Sequence, residues 1–270
     1  MARVDARARP VGAGRPPWLV VAERELRDLW LAGRGLPLLL AYTLLLSVTS
    51  YLVAANQALN FLEQREAVGL TVQVAVAVGA LLVLLGAADS VSGERERGTL
   101  ETLLLSPAPR RALVVGKAVA ALSLWVAAWI VSVPYLWYLG RGVGAVGVAA
   151  AGGLAVGSLL ALFLAGYGLL VSTLASSNRL SLSVSLFALL ALYAPTQMPT
   201  AVQNSWIGEL LLRLDPFTAG LRYLGRLVIN GRGPAEDAGW LIGPVLAAVV
   251  AAALALAVAG RLTLHGGDRG

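Results

Sequence analysis

The chain has 270 residues, of which 58% are hydrophobic and only 13% are charged, and its mean hydropathy is +0.76. A soluble domain carries about 25% charged residues, so this composition excludes an ordinary soluble protein. With no cysteine and one histidine, His265, it also excludes a disulfide framework and a thiolate metal site, and no metal ligand set is expected. The net charge of +6 favours arginine-rich cytoplasmic segments over nucleic-acid binding.

The N-terminal region contains two predicted segments. Residues 1–17 are rich in Arg, Ala, Gly and Pro, which predicts a disordered tail, and no apolar core of a cleavable signal peptide follows. Residues 18–35 place Trp18, Val21 and Leu26 on one helical face with charges opposite. That pattern predicts an amphipathic helix lying in the membrane interface.

Six apolar runs follow, each long enough to cross a hydrocarbon core of about 30 Å as a helix. The predicted spans are 36–55, 69–88, 112–139, 147–175, 180–196 and 239–260. The fold class is therefore an all-α membrane protein, with one transmembrane domain over 36–260 and a polar tail over 261–270.

Arginine and lysine counts predict the orientation of these spans. With the N-terminus in the cytoplasm, 15 of the 21 basic residues fall in inside segments. The positive-inside rule therefore predicts that both termini are cytoplasmic.

The segment 197–238 between spans five and six is too long to be a simple connector. It contains two apolar stretches separated by Asp215 and Pro216. Proline interrupts a helix, so we expect two short half-helices here. Neither is long enough to span, which favours re-entry into the outer leaflet or a cap on the bundle.

Motifs for catalysis are missing from the sequence. The GxGxxG pattern at 142–147 follows no strand, and Gly116-Lys117 has no upstream glycine and no following Ser or Thr, so neither predicts nucleotide binding. The near absence of charge inside the spans argues against an ion-coupled carrier. Small residues recur every fourth position in the fourth span, which predicts a close packing face. They are Gly153, Gly157, Ala161 and Ala165.

The inner loop 89–111 is the most informative stretch. Thr99 can cap a short helix that carries Glu101 in its first turn. Leucines give this helix an apolar face, and no other part of the chain offers an obvious surface for it to pack on. Such a face indicates docking in a groove of a partner protein. The leucines are Leu100, Leu103 and Leu104. A solvated loop on the positive side of the membrane is the alternative.

These residues resemble the ABC-2 type transporter permease family. The family pattern is an acidic-basic cluster, Gly-Thr, a leucine-rich turn, Pro, and Gly-Lys at the next span. Here those positions are Glu94, Glu96, Gly98, Thr99, Leu103, Leu104, Pro107, Gly116 and Lys117. The helix with Glu25, Arg27 and Asp28 is similar to the family's N-terminal elbow helix. Asp215-Pro216 is similar to its outer re-entrant motif, with Asp in place of the usual Asn.

The resemblance implies a non-enzymatic permease subunit of an ABC exporter in the cytoplasmic membrane. Its partners would be two separate ATPase subunits, which bind ATP and magnesium, and a second permease copy or a paralogue. The coupling segment that docks in the ATPase would comprise Glu94, Arg95, Glu96, Arg97, Gly98, Thr99, Leu100, Glu101, Leu103 and Leu104. The substrate is left open.

A second hypothesis is a membrane scaffold or signalling subunit that docks a cytoplasmic partner without transport. An intramembrane enzyme is a third, for which catalytic groups are lacking. An ATPase without spans encoded beside this gene would favour the permease. Charge reversal at Glu94 is expected to uncouple ATP hydrolysis from transport while leaving the protein folded.

Overall fold

The computed structural model describes residues 15–31, 33–55, 61–100, 105 and 109–261. Residues 1–14 of the predicted 1–17 tail, the coupling residues Glu101, Leu103 and Leu104, and the end from 262 lie outside the described residues.

The described residues form helices joined by short connections. In chain order these are α1 Pro17–Trp30, α2 Gly35–Ala54, α3 Phe61–Asp89, α4 Ser92–Glu96, α5 Arg110–Gly140, α6 Val146–Leu174, α7 Asn178–Tyr193, α8 Thr200–Gln203, α9 Trp206–Leu214, α10 Pro216–Val228 and α11 Ile242–Val258. Short 3₁₀ turns lie at Ala194–Gln197, Ala238–Leu241 and Ala259–Arg261.

Six helices in the described residues are long and apolar enough to cross a membrane. They are Gly35–Ala54, Gln64–Glu96, Arg110–Gly140, Val146–Leu174, Asn178–Gln197 and Ala238–Val258. The all-α fold is therefore confirmed for the described residues, which contain six candidate membrane-spanning helices. The second span is longer than predicted, because the helix begins before residue 69 and α4 extends it almost without a break.

Helices α3, α5 and α6 form the centre of the bundle and supply most of its buried side chains. The peripheral helices α2 and α7 leave most of their leucines exposed, among them Leu40, Leu44, Leu52 and Leu190. In a membrane protein such apolar surfaces face lipid or another chain.

The small-residue face predicted in the fourth span is a packing face. Gly157 and Gly153 are buried in α6 against the indole rings of Trp125 and Trp129 on α5. A side chain at Gly157 would overlap the ring of Trp125, so only glycine allows α5 and α6 to approach this closely.

The segment between the last two spans contains two helices, α9 and α10, which meet at Asp215-Pro216. Asp215 ends α9 and caps α10, where its carboxylate accepts hydrogen bonds from Phe217 N at 3.2 Å and Thr218 N at 3.1 Å. The two helices differ in burial: α9 is mostly exposed, whereas α10 packs on α3 and α6 with Leu224 and Val228 fully buried.

Candidate functional site

A charged cluster forms where α1, α4 and the first turns of α5 converge. Helix α1 lies along α5 with Val21 and Ala22 buried against Gly116. A Cβ atom on Gly116 would lie 2.5 Å from Cγ1 of Val21, so glycine is needed for this approach. The next residue, Lys117, is thereby buried beneath α1.

Lys117 is the centre of this cluster. Its Nζ atom lies 2.7 Å from Oε1 of Glu94 and 2.8 Å from Oε1 of Glu25, and it donates a hydrogen bond to the carbonyl of Ser90 at 3.0 Å. The Lys117 side chain is only 2% exposed. We call Lys117, Glu25, Glu94 and Ser90 the Lys117 cluster; it joins α1, the end of α3, α4 and α5.

The Lys117 cluster contains one cation and two carboxylates, so it has a surplus of negative charge. The second carboxylate oxygen of Glu94 is buried and has no hydrogen-bond partner among the described residues. A buried cation that lost its carboxylates would be strongly destabilised, as would the carboxylates without the cation. A cavity of about 660 Å³ adjoins the cluster, and Arg24, Arg34 and Asp89 also line it.

Asp89, at the end of α3, organises a second group of contacts. Its carboxylate lies 2.9 Å from Arg34 and 3.7 Å from Arg97, and it accepts a hydrogen bond of 2.7 Å from Nδ2 of Asn178. Asn178 begins α7, and Arg34 directly precedes α2. Asp89 therefore ties the ends of two further helices, α2 and α7, to the Lys117 cluster.

Helix α4 is also anchored to the end of α6. Ser172 Oγ accepts hydrogen bonds from Val91 N at 3.1 Å and Ser92 N at 2.9 Å. Arg95 donates to the carbonyls of Ala175 and of Thr173, the latter at 3.2 Å. Because these bonds satisfy the backbone at the start of α4, its position relative to α6 is fixed.

The predicted coupling residues fall into two groups. Glu94 and Arg95 are turned inward and bonded to the bundle, and Glu96 accepts a hydrogen bond of 2.8 Å from Asn178 N. Arg97, Gly98 and Thr99 are exposed. Gly98 has a φ of +70°, a left-handed conformation that ends α4.

Two expectations about this segment require correction. Leu100 was predicted to lie on an apolar face with no packing partner within the chain, but it is 6% exposed and belongs to the hydrophobic core. Charge reversal at Glu94 was expected to leave the protein folded. Because Glu94 contacts buried Lys117, a reversed charge would place two cations together and destabilise the bundle.

The other predicted residues lie apart from the cluster or at its edge. Arg27 pairs with Glu23 on the exposed side of α1 at 2.6 Å. Asp28 pairs with Arg24 at 3.8 Å. Asp215 and Pro216 lie between α9 and α10.

Sequence reasoning missed the pairing of Lys117 with both Glu25 and Glu94, as well as the roles of Asp89 and Asn178. One signal was available: Lys117 is the only lysine in the chain and lies within a span. A cation at that depth requires an acidic partner. The sequence did not identify which of the acidic residues this would be.

The fold and this site define a class of protein. Six apolar helices with a charged cluster at one end of the bundle describe a multi-pass membrane protein.

The comparison with protein families identifies its relatives. The family model described as ABC-2 family transporter protein matches residues 19–224, which include α1, the Lys117 cluster and most of α10. The chain belongs to the ABC-2 transporter family, as its sequence motifs predicted. No match was found among curated proteins.

Proposed function

We propose that this chain is the transmembrane permease subunit of an ABC exporter. Membership of the ABC-2 transporter family supports the transport role. Separate ATPase subunits would bind ATP and magnesium, and a second permease copy or a paralogue would complete the assembly. Both termini would be cytoplasmic, as the arginine distribution predicts.

One observation carries the coupling part of this proposal: α4, which directly precedes an exposed segment, is bonded to most of the bundle. Arg97, Gly98 and Thr99 are exposed, and Leu105 is 80% exposed. Directly before them, α4 is bonded through Glu94 to Lys117 of α5. A force on the exposed segment therefore acts on several helices at once.

Contacts from α4 reach four other helices. Through Glu94 and Lys117 they reach α1 and α5, and through Arg95 and Glu96 they reach α6 and the start of α7. Packed elements held by ion pairs move as units rather than deforming continuously. Docking of an ATPase on the segment would therefore move these bonded helices together.

The test co-expresses the full chain with a candidate partner, an ATPase without spans, and purifies the two together. Arg97→Gln combined with Leu105→Glu changes two exposed side chains without placing a second carboxylate beside Asp89, and it should abolish co-purification of the ATPase. Arg213→Glu is the matched control, because Arg213 is exposed and lies on α9. This control should retain the ATPase.

Retention of the ATPase by the double variant would overturn this docking site. A scaffold or signalling subunit makes a different prediction. It would bind its partner without any transport-dependent stimulation of ATP hydrolysis in reconstituted vesicles. That result would overturn the permease proposal even if docking occurs at Arg97 and Leu105.

A further inference from the structure

A second cavity lies in the half of the bundle away from the Lys117 cluster. Its volume is about 570 Å³, and it is bounded by α3, the 3₁₀ turn after α7, and α10. Ligand sites typically have volumes of about 300–1,000 Å³, so the cavity is large enough for a small molecule or a lipid headgroup.

Two arginines lie on the polar side of this cavity, beside amide and hydroxyl side chains such as Gln73, Gln203 and Thr218. Arg222 and Arg226 of α10 line it and also lie over the ring of Trp240, at 5.7 Å and 5.0 Å from its centroid. Arg213 of α9 lies over the same ring at 5.2 Å but does not line the cavity. Three guanidinium groups thus surround one buried indole, which holds them in fixed positions by cation–π contact.

Two of these arginines have carboxylate partners. Arg213 pairs with Glu209 at 2.6 Å, and Arg226 pairs with Asp237 at 2.9 Å. For Arg222, no carboxylate lies within ion-pair distance among the described residues, and its guanidinium donates to the amide oxygen of Gln203. Arg222 is therefore a cation without a direct ion-pair partner among the described side chains; Glu209, which pairs with Arg213, acts on it only from beyond ion-pair distance.

The environment of Arg222 makes a counter-ion favourable. Burial, together with the neighbouring charge of Arg226, lowers the pKa of Arg222 from its ordinary value. Both causes penalise the charged guanidinium, and a bound anion would relieve both. A guanidinium binds carboxylate or phosphate through two parallel hydrogen bonds, which an amide oxygen cannot replace.

Apolar side chains supply another part of the cavity lining. Leu70, Val74 and Ala77 lie on α3, where Gln73 also lines the cavity, and Leu221 lies on α10. The cavity thus offers both guanidinium groups and hydrocarbon. A simple inorganic anion would use only the first.

We propose that this cavity binds the anionic head of an amphiphilic molecule, with Arg222 as counter-ion to its phosphate or carboxylate and the apolar side chains of α3 against its hydrocarbon. The inference also assigns anionic amphiphiles as the class of exported substrate, and that assignment rests on the proposed function. The binding itself requires no ATPase. Phosphate and carboxylate heads share the recognition chemistry, and the test below uses a phosphate.

The experiment is calorimetric titration of the full chain in a non-ionic detergent with three probes. These are dihexanoyl phosphatidic acid, dihexanoyl phosphatidylcholine and inorganic phosphate. The first should bind saturably and about tenfold or more tighter than the other two, since loss of one charge-assisted pair costs about that factor. Equal binding of the two lipids would overturn the proposal. Equal binding of inorganic phosphate would overturn its amphiphile part and assign the cavity to a free anion.

Variants locate the site. Arg222→Gln should reduce binding of the phosphatidic acid to the level of phosphatidylcholine, whereas Arg213→Gln, which alters the same Trp240 cluster outside the cavity, should leave it unchanged. Arg222→Lys keeps the charge but loses the bidentate geometry, so it should bind with intermediate affinity even if Arg222→Gln does not fold. Unchanged binding by the Arg222 variants would overturn the assignment. Since no ATPase is present, a negative result here leaves the docking test unaffected.

Discussion

The Nζ atom of Lys117 lies 2.7 Å from a carboxylate oxygen of Glu94, and this ion pair joins the start of the predicted coupling segment to the helix that follows it. Glu94 is the first residue of that segment and lies on α4, before the exposed turn at Gly98, and Lys117 lies near the start of α5. The pair therefore holds the start of the segment, on α4, against α5. Glu25 of α1 completes the contact from a third element.

Lys117→Met should destabilise the folded protein by about 3 kcal/mol, because it leaves two carboxylates buried without a cation. Thermal unfolding in detergent measures the loss. Arg27→Met is the control, since Arg27 and Glu23 are exposed and such a pair contributes about 0–1 kcal/mol. Equal losses for the two variants would show that the Lys117 cluster contributes no more than a surface pair.

Glu94→Gln should leave the fold intact, because Glu25 still pairs with Lys117. If the Glu94–Lys117 ion pair transmits force from the segment to the bundle, this variant should lower transport-stimulated ATP hydrolysis several-fold in vesicles that contain the partner ATPase. Glu23→Gln, on the exposed face of α1, is the control and should behave as wild type. Full activity of Glu94→Gln would separate the ion pair from coupling.

Gly157→Ala should destabilise the protein by about 2 kcal/mol, since its methyl group would overlap the ring of Trp125 and force α5 and α6 apart. Gly147→Ala provides a control in the same helix, because nothing lies within 4 Å of a Cβ atom there. Unfolding temperatures of the two variants measure the difference. If Gly157→Ala were as stable as Gly147→Ala, the close approach of the two helices would not be a determinant of stability.

Asp215→Ala should cost about 1 kcal/mol, because α10 loses the cap on Phe217 N and Thr218 N. Asp215→Asn keeps an acceptor oxygen and should retain that stability. The measurement is the unfolding temperature of both variants and of wild type. Equal destabilisation by the Asn and Ala variants would contradict the capping role.

The stability contributed by Asp215 should depend on pH. Burial raises its pKa above the ordinary 3.8, although hydrogen bonds from Thr218 and Phe217 oppose this. The folded state therefore binds the proton on Asp215 more tightly than the unfolded state does. The contribution of this proton to the free energy of unfolding is fully present below pH 3.8, and it is lost as the pH rises through the pKa of the folded state. The free energy of unfolding of Asp215→Asn should consequently increase relative to that of wild type as the pH rises. An unchanged difference across the acid range would show that the carboxyl pKa is not raised.

The sequence by itself determined the features that depend on local physics. An apolar run of sufficient length must form a helix in a bilayer, because every backbone group needs an internal hydrogen bond there. This is why six spans and the division at Pro216 could be predicted from composition and order. The motif around Gly98 and Lys117 also identified the family, which the family model confirms.

Only the tertiary structure decided which side chains meet. The burial of Leu100, the pairing of Lys117 with Glu25 and Glu94, and the position of Arg222 on a cavity lined by α3 arise from packing between helices. Apolar periodicity fixes where a helix begins and ends but not its neighbours or its rotation. Charged partners are set by that packing, so the residues of both candidate sites became assignable only once the helices were placed.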